Sequence, residues 1–392
     1  MVRDGDEVWS ATVRRLPHPV FRLTDGSRMT RPSSAALLPL GDALGLLLAG
    51  VAPVAPRPLP PASAQGCIAA AAVAAPRDCP PGPVALRDGY AVEAGAIGGA
   101  SPYAPVPLPH APPWIEAGEA LPAGTDAVLL PEGFEHGSVV ADIAPREGTR
   151  DRAEDLAAGD LLLAAGIRIG PLQGLALAEA GLAAVDVRQP RLRLVVTGAP
   201  AQDSLSPFLG ALIAARGGLA ETVAVPDADE AVAAAIRADG ADAVLVLGGS
   251  GFGRTDRSAA ALARAGRLHA HGLALRPGET AALGEAGGRP VLLLPGRPDA
   301  MLAAFLALGV PLLHGLTGAR AEPPIAAALT RKIASVIGLT EIVFVRRSAD
   351  GAEPLGGAEL PLRRLVQADG FVLVAPEREG YPVGAQVEVW PL

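Results

Sequence analysis

Between residues 191 and 317 short apolar runs alternate with helical stretches, and this alternation constrains the fold more than any other feature of the chain. Leu192-Arg193-Leu194-Val195-Val196, Glu221 to Val225, Ala243-Val244-Leu245-Val246-Leu247 and Val291-Leu292-Leu293-Leu294 read as strands. Ser204 to Arg216, Asp229 to Asp239, Ser258 to Ala265 and Pro298 to Leu313 read as helices. Ser204 or Ser206 is the expected cap of the first of them. Strands that alternate with helices predict a parallel sheet with helices on both faces, a three-layer α/β domain over 189–318.

The flanks have another texture. Residues 62–145 hold short apolar runs separated by Gly and Pro: Val84-Ala85-Leu86, Tyr90-Ala91-Val92, Ala127 to Leu130 and Ser138 to Val140. That pattern predicts a β-rich domain with tight turns. Before it, Leu40, Ala43, Leu44, Leu47 and Leu48 recur at helical spacing within Pro39 to Val51. After it come a strand at Leu161-Leu162-Leu163, a helix from Pro171 to Gly181 with proline in its first turn, and a strand at Ala184 to Val187. These segments, within 33–61 and 146–188, lie on either side of 62–145. Strands at Glu341 to Val345, Gly370 to Ala375 and Gln386 to Trp390 predict a small C-terminal β domain over 319–392. Residues 1–32 form an extension with two β-like patches, at 7–9 and 20–23, read as a hairpin or a tail.

Composition narrows the function. Gly and Pro number 47 and 39 in 392 residues, above ordinary usage but short of the level typical of disorder, so the chain is folded and rich in turns. With 33 Lys and Arg against 41 Asp and Glu the formal charge is −8, which lacks the basic footprint of a nucleic-acid binder. An anionic small ligand in a local pocket is compatible with that balance. Cys67 and Cys79 build neither a disulfide framework nor a Cys-based zinc site, which favours a reducing, cytoplasmic setting. The apolar run Ala35 to Val51 is broken by Pro39 and Asp42, too short and interrupted to span a bilayer, so no membrane role is expected.

The loop Gly248-Gly249-Ser250-Gly251-Phe252-Gly253 leaves an apolar strand and precedes a helix. Its glycines let backbone N–H groups converge on an anion, and the helix N-terminus adds positive potential. Pro295-Gly296-Arg297-Pro298 leaves a second strand at the carboxyl edge, where ligands bind in open α/β sheets. Gly-rich turns are also common in such sheets without a ligand. Asp256, between Arg254 and Arg257, suits either a helix cap or a carboxylate bridged to phosphate by Mg²⁺. Asp88-Gly89 reads on its own as a hairpin turn and Glu154-Asp155 as a solvated acidic turn. His269 and His271 read as surface or core histidines, having no third ligand in reach.

Taken in order, these stretches resemble one family. Asp88-Gly89-Tyr90-Ala91-Val92 resembles its DGYA motif. Glu116 to Glu132 (EAGEALPAGTDAVLLPE) resembles its TGAPLPEGADAVV segment. Glu154-Asp155-Leu156 with Gly159-Asp160 resembles its GEDI element. Gly248 to Gly253 with Asp256 resembles GGVSVGDYD. Arg276-Pro277-Gly278 resembles KPGKP, and Leu294 to Pro298 resembles LPGNP. The family is that of the MoeA-type molybdopterin molybdenumtransferases, related to the gephyrin E domain, and the resemblance covers about residues 36–392.

The resemblance implies a four-domain homodimer, in which 33–61 and 146–188 form a linker and dimerisation domain with 62–145 inserted into it. It implies a reaction in which adenylylated molybdopterin and molybdate are substrates, a divalent metal such as Mg²⁺ assists, and AMP leaves as molybdenum joins the dithiolene. It implies a site between the α/β domain of one subunit and the DGYA region of its partner. By carry-over Asp88, Asp155 and Asp256 are catalytic, with Asp256 and Asp88 on metal. Gly248, Gly249, Ser250, Gly251, Gly253, Arg276, Pro295, Gly296, Arg297 and Pro298 cradle the pterin ligand. A molybdoenzyme client and an adenylyltransferase are the implied further partners.

The chain departs from the pattern at several points. Ala199-Pro200 replaces an acidic pair, Ala117 a threonine, Glu279 a lysine, and Arg297 an asparagine. Glu359 to Leu365 replaces a serine-glycine stretch. At about 6 Å and an effective dielectric near 20, one unit charge beside a phosphate is worth roughly 3 kcal/mol, so a reversal at Glu279 bears directly on anion binding. The departures leave a second reading, a protein that binds molybdopterin or the finished cofactor and carries it without inserting the metal.

Overall fold

A computed structural model describes residues 37–197, 203–253 and 257–392. The patches of the N-terminal extension, Ala199-Pro200, Arg254 and Asp256 lie outside the described residues.

The α/β domain contains β1 (Arg191–Thr197), α1 (Leu205–Ala214), β2 (Leu219–Val225), α2 (Asp229–Arg237), β3 (Ala243–Leu247), α3 (Ser258–Ala265), β4 (Arg267–His271), β5 (Ala282–Ala286), β6 (Arg289–Leu294) and α4 (Pro298–Thr317). The sheet order is β2-β1-β3-β6-β5-β4. Successive strand residues face opposite sides of the sheet. Leu192, Leu194, Leu245, Leu247, Leu292 and Leu294 therefore meet α1 and α4, through Leu209, Ile213, Met301 and Phe305. Val195, Val244, Val246, Val291 and Leu293 meet α2 and α3, through Val232, Ile236 and Leu262. This is the three-layer arrangement expected.

The sheet is not wholly parallel, which corrects the expectation. β2, β1, β3 and β6 are parallel, but β5 runs antiparallel to β6, and β4 antiparallel to β5. The reason is local. Only Gly287 and Gly288 join β5 to β6, both at positive φ (+59° and +76°), the conformation of a two-residue hairpin turn. A parallel pair would need a crossover of a dozen residues or more.

Two capping arrangements were not foreseen. Neither Ser204 nor Ser206 caps α1 through its side chain; Asp203 does, its Oδ1 accepting the N–H groups of Leu205 (3.1 Å) and Ser206 (2.9 Å) while Oδ2 takes the Ser206 hydroxyl. At the other end of α2, Arg193 reaches across from β1, 6% exposed. It donates to the carbonyls of Ala238 and Asp239 (2.6 Å to the latter), and Arg289 donates to Ala238 (2.7 Å) and Arg237 (2.9 Å). Two guanidinium groups thus satisfy carbonyls that the helix end leaves open.

α4 is long and apolar enough to cross a membrane, but 78% of its most apolar stretch is buried inside the protein, where it packs in the largest core described. The helix Leu40–Leu47 packs into that same core through Leu40, Ala43 and Leu47, rather than with the linker domain. The linker layer has its own core of Ala64, Cys67, Ala69, Leu163, Ile169, Leu177, Val185 and Val187. Its strands Ile68–Ala69 and Val73–Ala74 pair with Val185–Arg188 and Leu161–Leu163, so the residues expected to open the inserted domain pack with the linker. Beyond Val84 the insertion is a set of short antiparallel ladders, among them Gly89–Val92 between Trp114–Ile115 and Ala127–Leu129. In the C-terminal domain the sheet runs Leu275–Arg276, Thr340–Ser348, Gly370–Val374, Gln386–Pro391, Ile325–Ala328. Its first strand comes from the α/β domain, which ties the two together.

Candidate functional site

β3 and β6 are neighbours, and their last residues, Leu247 and Leu294, lie opposite one another. The loops that follow are consequently adjacent. The Gly248 N–H donates to the Leu294 carbonyl at 3.2 Å, and a Cβ on Gly296 would stand 3.8 Å from Gly248 Cα. Pro298 then opens α4. The Arg276-Pro277-Gly278 loop reaches the same place from the C-terminal sheet: a Cβ on Gly278 would lie 3.7 Å from the Ala300 carbonyl. The fold thus brings Gly248 to Gly253, Pro295 to Pro298 and Arg276 to one edge of the sheet.

The conformation of the glycine-rich loop decides what it can bind. Gly248 and Gly249 take left-handed φ of +86° and +61°. Three successive carbonyls are then engaged: Gly248 O accepts the Ser258 hydroxyl (2.8 Å), Gly249 O accepts the Ser258 N–H (3.0 Å), and Ser250 O faces His271 Nε2 (2.9 Å). In a trans peptide the carbonyl and the next N–H point in opposite directions. The N–H groups of Gly249, Ser250 and Gly251 therefore point away from these partners, a run of donors of the kind that binds oxyanions. The N-terminus of α4 stands beside them and favours the same charge. Ser250 is 2% exposed and its hydroxyl has no partner among the described residues.

The charged residues around the cradle are partly committed. Arg297 binds Asp299 (2.7 Å) and lies 3.5 Å from Glu359. Asp299 is 1% exposed and also accepts the Leu360 N–H at 3.1 Å, a clasp between α4 and the C-terminal domain. Arg276 makes no ion pair among the described residues. Glu279 folds back on its own loop, its carboxylate accepting the Gly278 N–H at 3.1 Å. A side-chain carboxylate thus occupies one backbone donor near the cradle.

Asp88 and Asp155 belong to the other body. Asp88 Oδ1 accepts the N–H of Ala117 at 2.8 Å and so fixes the turn at which the chain departs from the family pattern. Asp155 pairs with Arg150 at 2.9 Å. The strand Val84–Ala85 pairs with Thr149–Arg150, so both carboxylates hang from one ladder. Among the described residues no hydrogen bond or ion pair joins either of them to the glycine-rich loop, and no group of three His, Cys, Asp or Glu side chains is placed to hold a metal ion. The site residues missed in the sequence are Ser258, which holds two loop carbonyls, and His271, read there as bland.

Comparison with known proteins agrees with this architecture. Residues 38–181 match the model of the MoeA N-terminal region (domains I and II), 194–315 that of the "Probable molybdopterin binding domain", and 326–392 that of the MoeA C-terminal region (domain IV). The chain is similar to molybdopterin molybdenumtransferase 2 of Mycobacterium tuberculosis, 28% identical across 86% of this chain and 95% of that protein. It is 29% identical to the molybdopterin molybdenumtransferase of Synechococcus elongatus, across 67% of this chain and 76% of the other. The crystal structure of a molybdopterin biosynthesis MoeA protein from Pyrococcus horikoshii superposes with a TM-score of 0.66 at 28% identity, covering 91% of this chain and 99% of that one. Three family models in unbroken order, relatives of matching length and a shared multidomain fold lead to one conclusion: the chain belongs to the MoeA family of molybdenum cofactor biosynthesis.

Proposed function

We propose that this protein is a molybdopterin molybdenumtransferase. Adenylylated molybdopterin and molybdate bind, the pyrophosphate link is cleaved with water supplying the oxygen, AMP leaves, and molybdenum joins the dithiolene sulfurs as one molybdate oxygen departs as water with the two thiol protons. The observation that carries the proposal is the run of backbone donors at Gly249, Ser250 and Gly251 beside the start of α4, which suits a pyrophosphate. Gly248, Gly253, Pro295, Gly296 and Pro298 line that cradle, and Arg276 supplies cationic charge. Arg297, tied to Asp299, positions the α4 terminus more than it contacts the ligand.

A divalent ion has no cage among the described residues. The donor chemistry fits Mg²⁺ brought in on the phosphate oxygens and completed by one or two carboxylates, as this ion is commonly held. Asp256 and Asp88 are the carboxylates proposed for it. Asp88 and Asp155 would reach the cradle from the partner subunit of a homodimer. In support, Leu161, Leu172 and Leu175 of the linker layer are 65%, 78% and 57% exposed, apolar surface suited to a second copy. We place the protein in the cytoplasm, where its substrate comes from an adenylylating enzyme and its product goes to a molybdoenzyme client.

The test mixes the full-length protein with adenylylated molybdopterin, molybdate and Mg²⁺ and follows AMP. Release that requires both metal and molybdate is the expected result, with Asp256→Ala and Asp88→Asn abolishing it. Tight pterin binding without AMP release would overturn the transferase reading and leave a carrier.

A further inference from the structure

His271 is the last residue of β4, the edge strand on the antiparallel side of the sheet. Its Nε2 lies 2.9 Å from the Ser250 carbonyl. A carbonyl only accepts, so Nε2 carries the proton and donates. The imidazole also packs on Phe252 of the same loop, ring centroids 4.7 Å apart and tilted by 34°. His271 thus holds the loop twice, by a hydrogen bond before Gly251 and by a ring contact after it.

Among the described residues, two further contacts on the loop's carbonyls come from Ser258, at the start of α3, and reach Gly248 and Gly249. The peptide between Ser250 and Gly251 depends on His271 alone among these anchors. Glycine occupies positive and negative φ about equally, so this peptide can rotate at little cost when its carbonyl is released. Rotation would turn the Gly251 N–H away from the cradle.

We propose that His271 is a positioning residue for the oxyanion cradle, aiming the Gly251 N–H at a phosphate oxygen of the bound pyrophosphate group. The inference rests on reading the loop as the pyrophosphate-binding element. His271 touches neither substrate nor reacting atoms; it acts through the loop. Its requirement is specific: a donor at the position of Nε2.

The experiment measures binding of inorganic pyrophosphate to the full-length protein by calorimetry, together with KM and kcat for AMP release and a thermal melt. His271→Phe keeps a ring against Phe252 and removes the donor. His271→Gln places an amide N–H near the position of Nε2. A hydrogen bond to a charged group is worth about 1.5–3 kcal/mol, so His271→Phe is expected to weaken pyrophosphate binding at least about tenfold and raise KM with kcat little changed. His271→Gln is expected to recover most of that loss. If His271→Phe does not fold, His271→Asn, whose amide falls one bond short of Ser250 O, replaces it. Wild-type affinity in the Phe variant overturns the inference. So does equal weakening in the Phe and Gln variants with a lowered melting point, which marks a structural role only. If the wild-type protein itself fails to bind pyrophosphate, the reading of the loop falls first, and the inference with it.

Discussion

The claim that the glycine-rich loop is a fixed cradle can be tested by comparing Gly249→Ala with Gly287→Ala. The two glycines have nearly the same φ, +61° and +59°. Each substitution puts a Cβ into the left-handed region at about 1–2 kcal/mol, so this backbone cost cancels between them. What differs is the space. A Cβ on Gly287, in the β5–β6 turn, meets nothing nearer than 3.7 Å. A Cβ on Gly249 comes within 2.8 Å of the Ser258 hydroxyl. Ser258 is 1% exposed, and its hydroxyl bonds Gly248 O at 2.8 Å. Pushing it aside breaks that bond in a place water does not reach, which costs about 1–3 kcal/mol. Gly249→Ala is therefore expected to be about 1–3 kcal/mol less stable than Gly287→Ala in urea titration. It should also bind pyrophosphate about tenfold more weakly, while Gly287→Ala binds normally. Equal stability losses with unchanged pyrophosphate affinity in both variants would refute the account of the loop.

Other outcomes follow from the same structure. Arg193→Met removes the donor to the Asp239 carbonyl and one of the two donors to the Ala238 carbonyl, at an expected cost of about 1–3 kcal/mol in urea titration; a loss below about 0.5 kcal/mol would contradict the capping role. Asp299→Ala strips Arg297 and the Leu360 N–H of their shared acceptor, so limited proteolysis should cut faster around residues 356–366, and an unchanged pattern would show that the clasp is dispensable. Burial, then the nearby Arg216 charge, holds the His314 imidazole below its ordinary value, with Glu322 opposing. The unfolded chain therefore binds the extra proton first, and stability falls as pH drops below about 6.5. His314→Gln should flatten that slope between pH 7.5 and 5.5, and an unaltered slope would assign it elsewhere. Burial also raises the Cys67 thiol, which is 1% exposed, so a maleimide should modify Cys79 in the native protein and Cys67 only on unfolding.

Much of the fold was legible because its signals are local. Four of the six strands and the four helices of the α/β domain lie within a few residues of their predicted places, since apolar runs and period-3.6 patterns declare themselves within a single element; β4 and β5, less apolar, were not foreseen. The Gly248 to Gly253 loop was legible for a similar reason. Only glycine takes left-handed φ without strain, and a run of it after an apolar strand announces a backbone that can turn its N–H groups to one point. The order of the family's motifs then identified the architecture as a whole.

The tertiary structure decided what depends on residues meeting across the chain. Gly287-Gly288 closes a hairpin that starts the antiparallel side of the sheet, which is why His271 ends on an edge strand beside Ser250, 21 residues away in sequence. Asp299 meets the Leu360 N–H across 61 positions, and Asp88 meets the Ala117 N–H across 29. Asp203 rather than either serine caps α1, because its carboxylate reaches two N–H groups and a hydroxyl at once. Glu279, a charge reversal on paper, turns its carboxylate into its own loop. In each case the side chain's identity is written in the sequence, but its role depends on which donor or acceptor the packed core sets within about 3 Å of it, and hydrogen bonding has no longer reach than that.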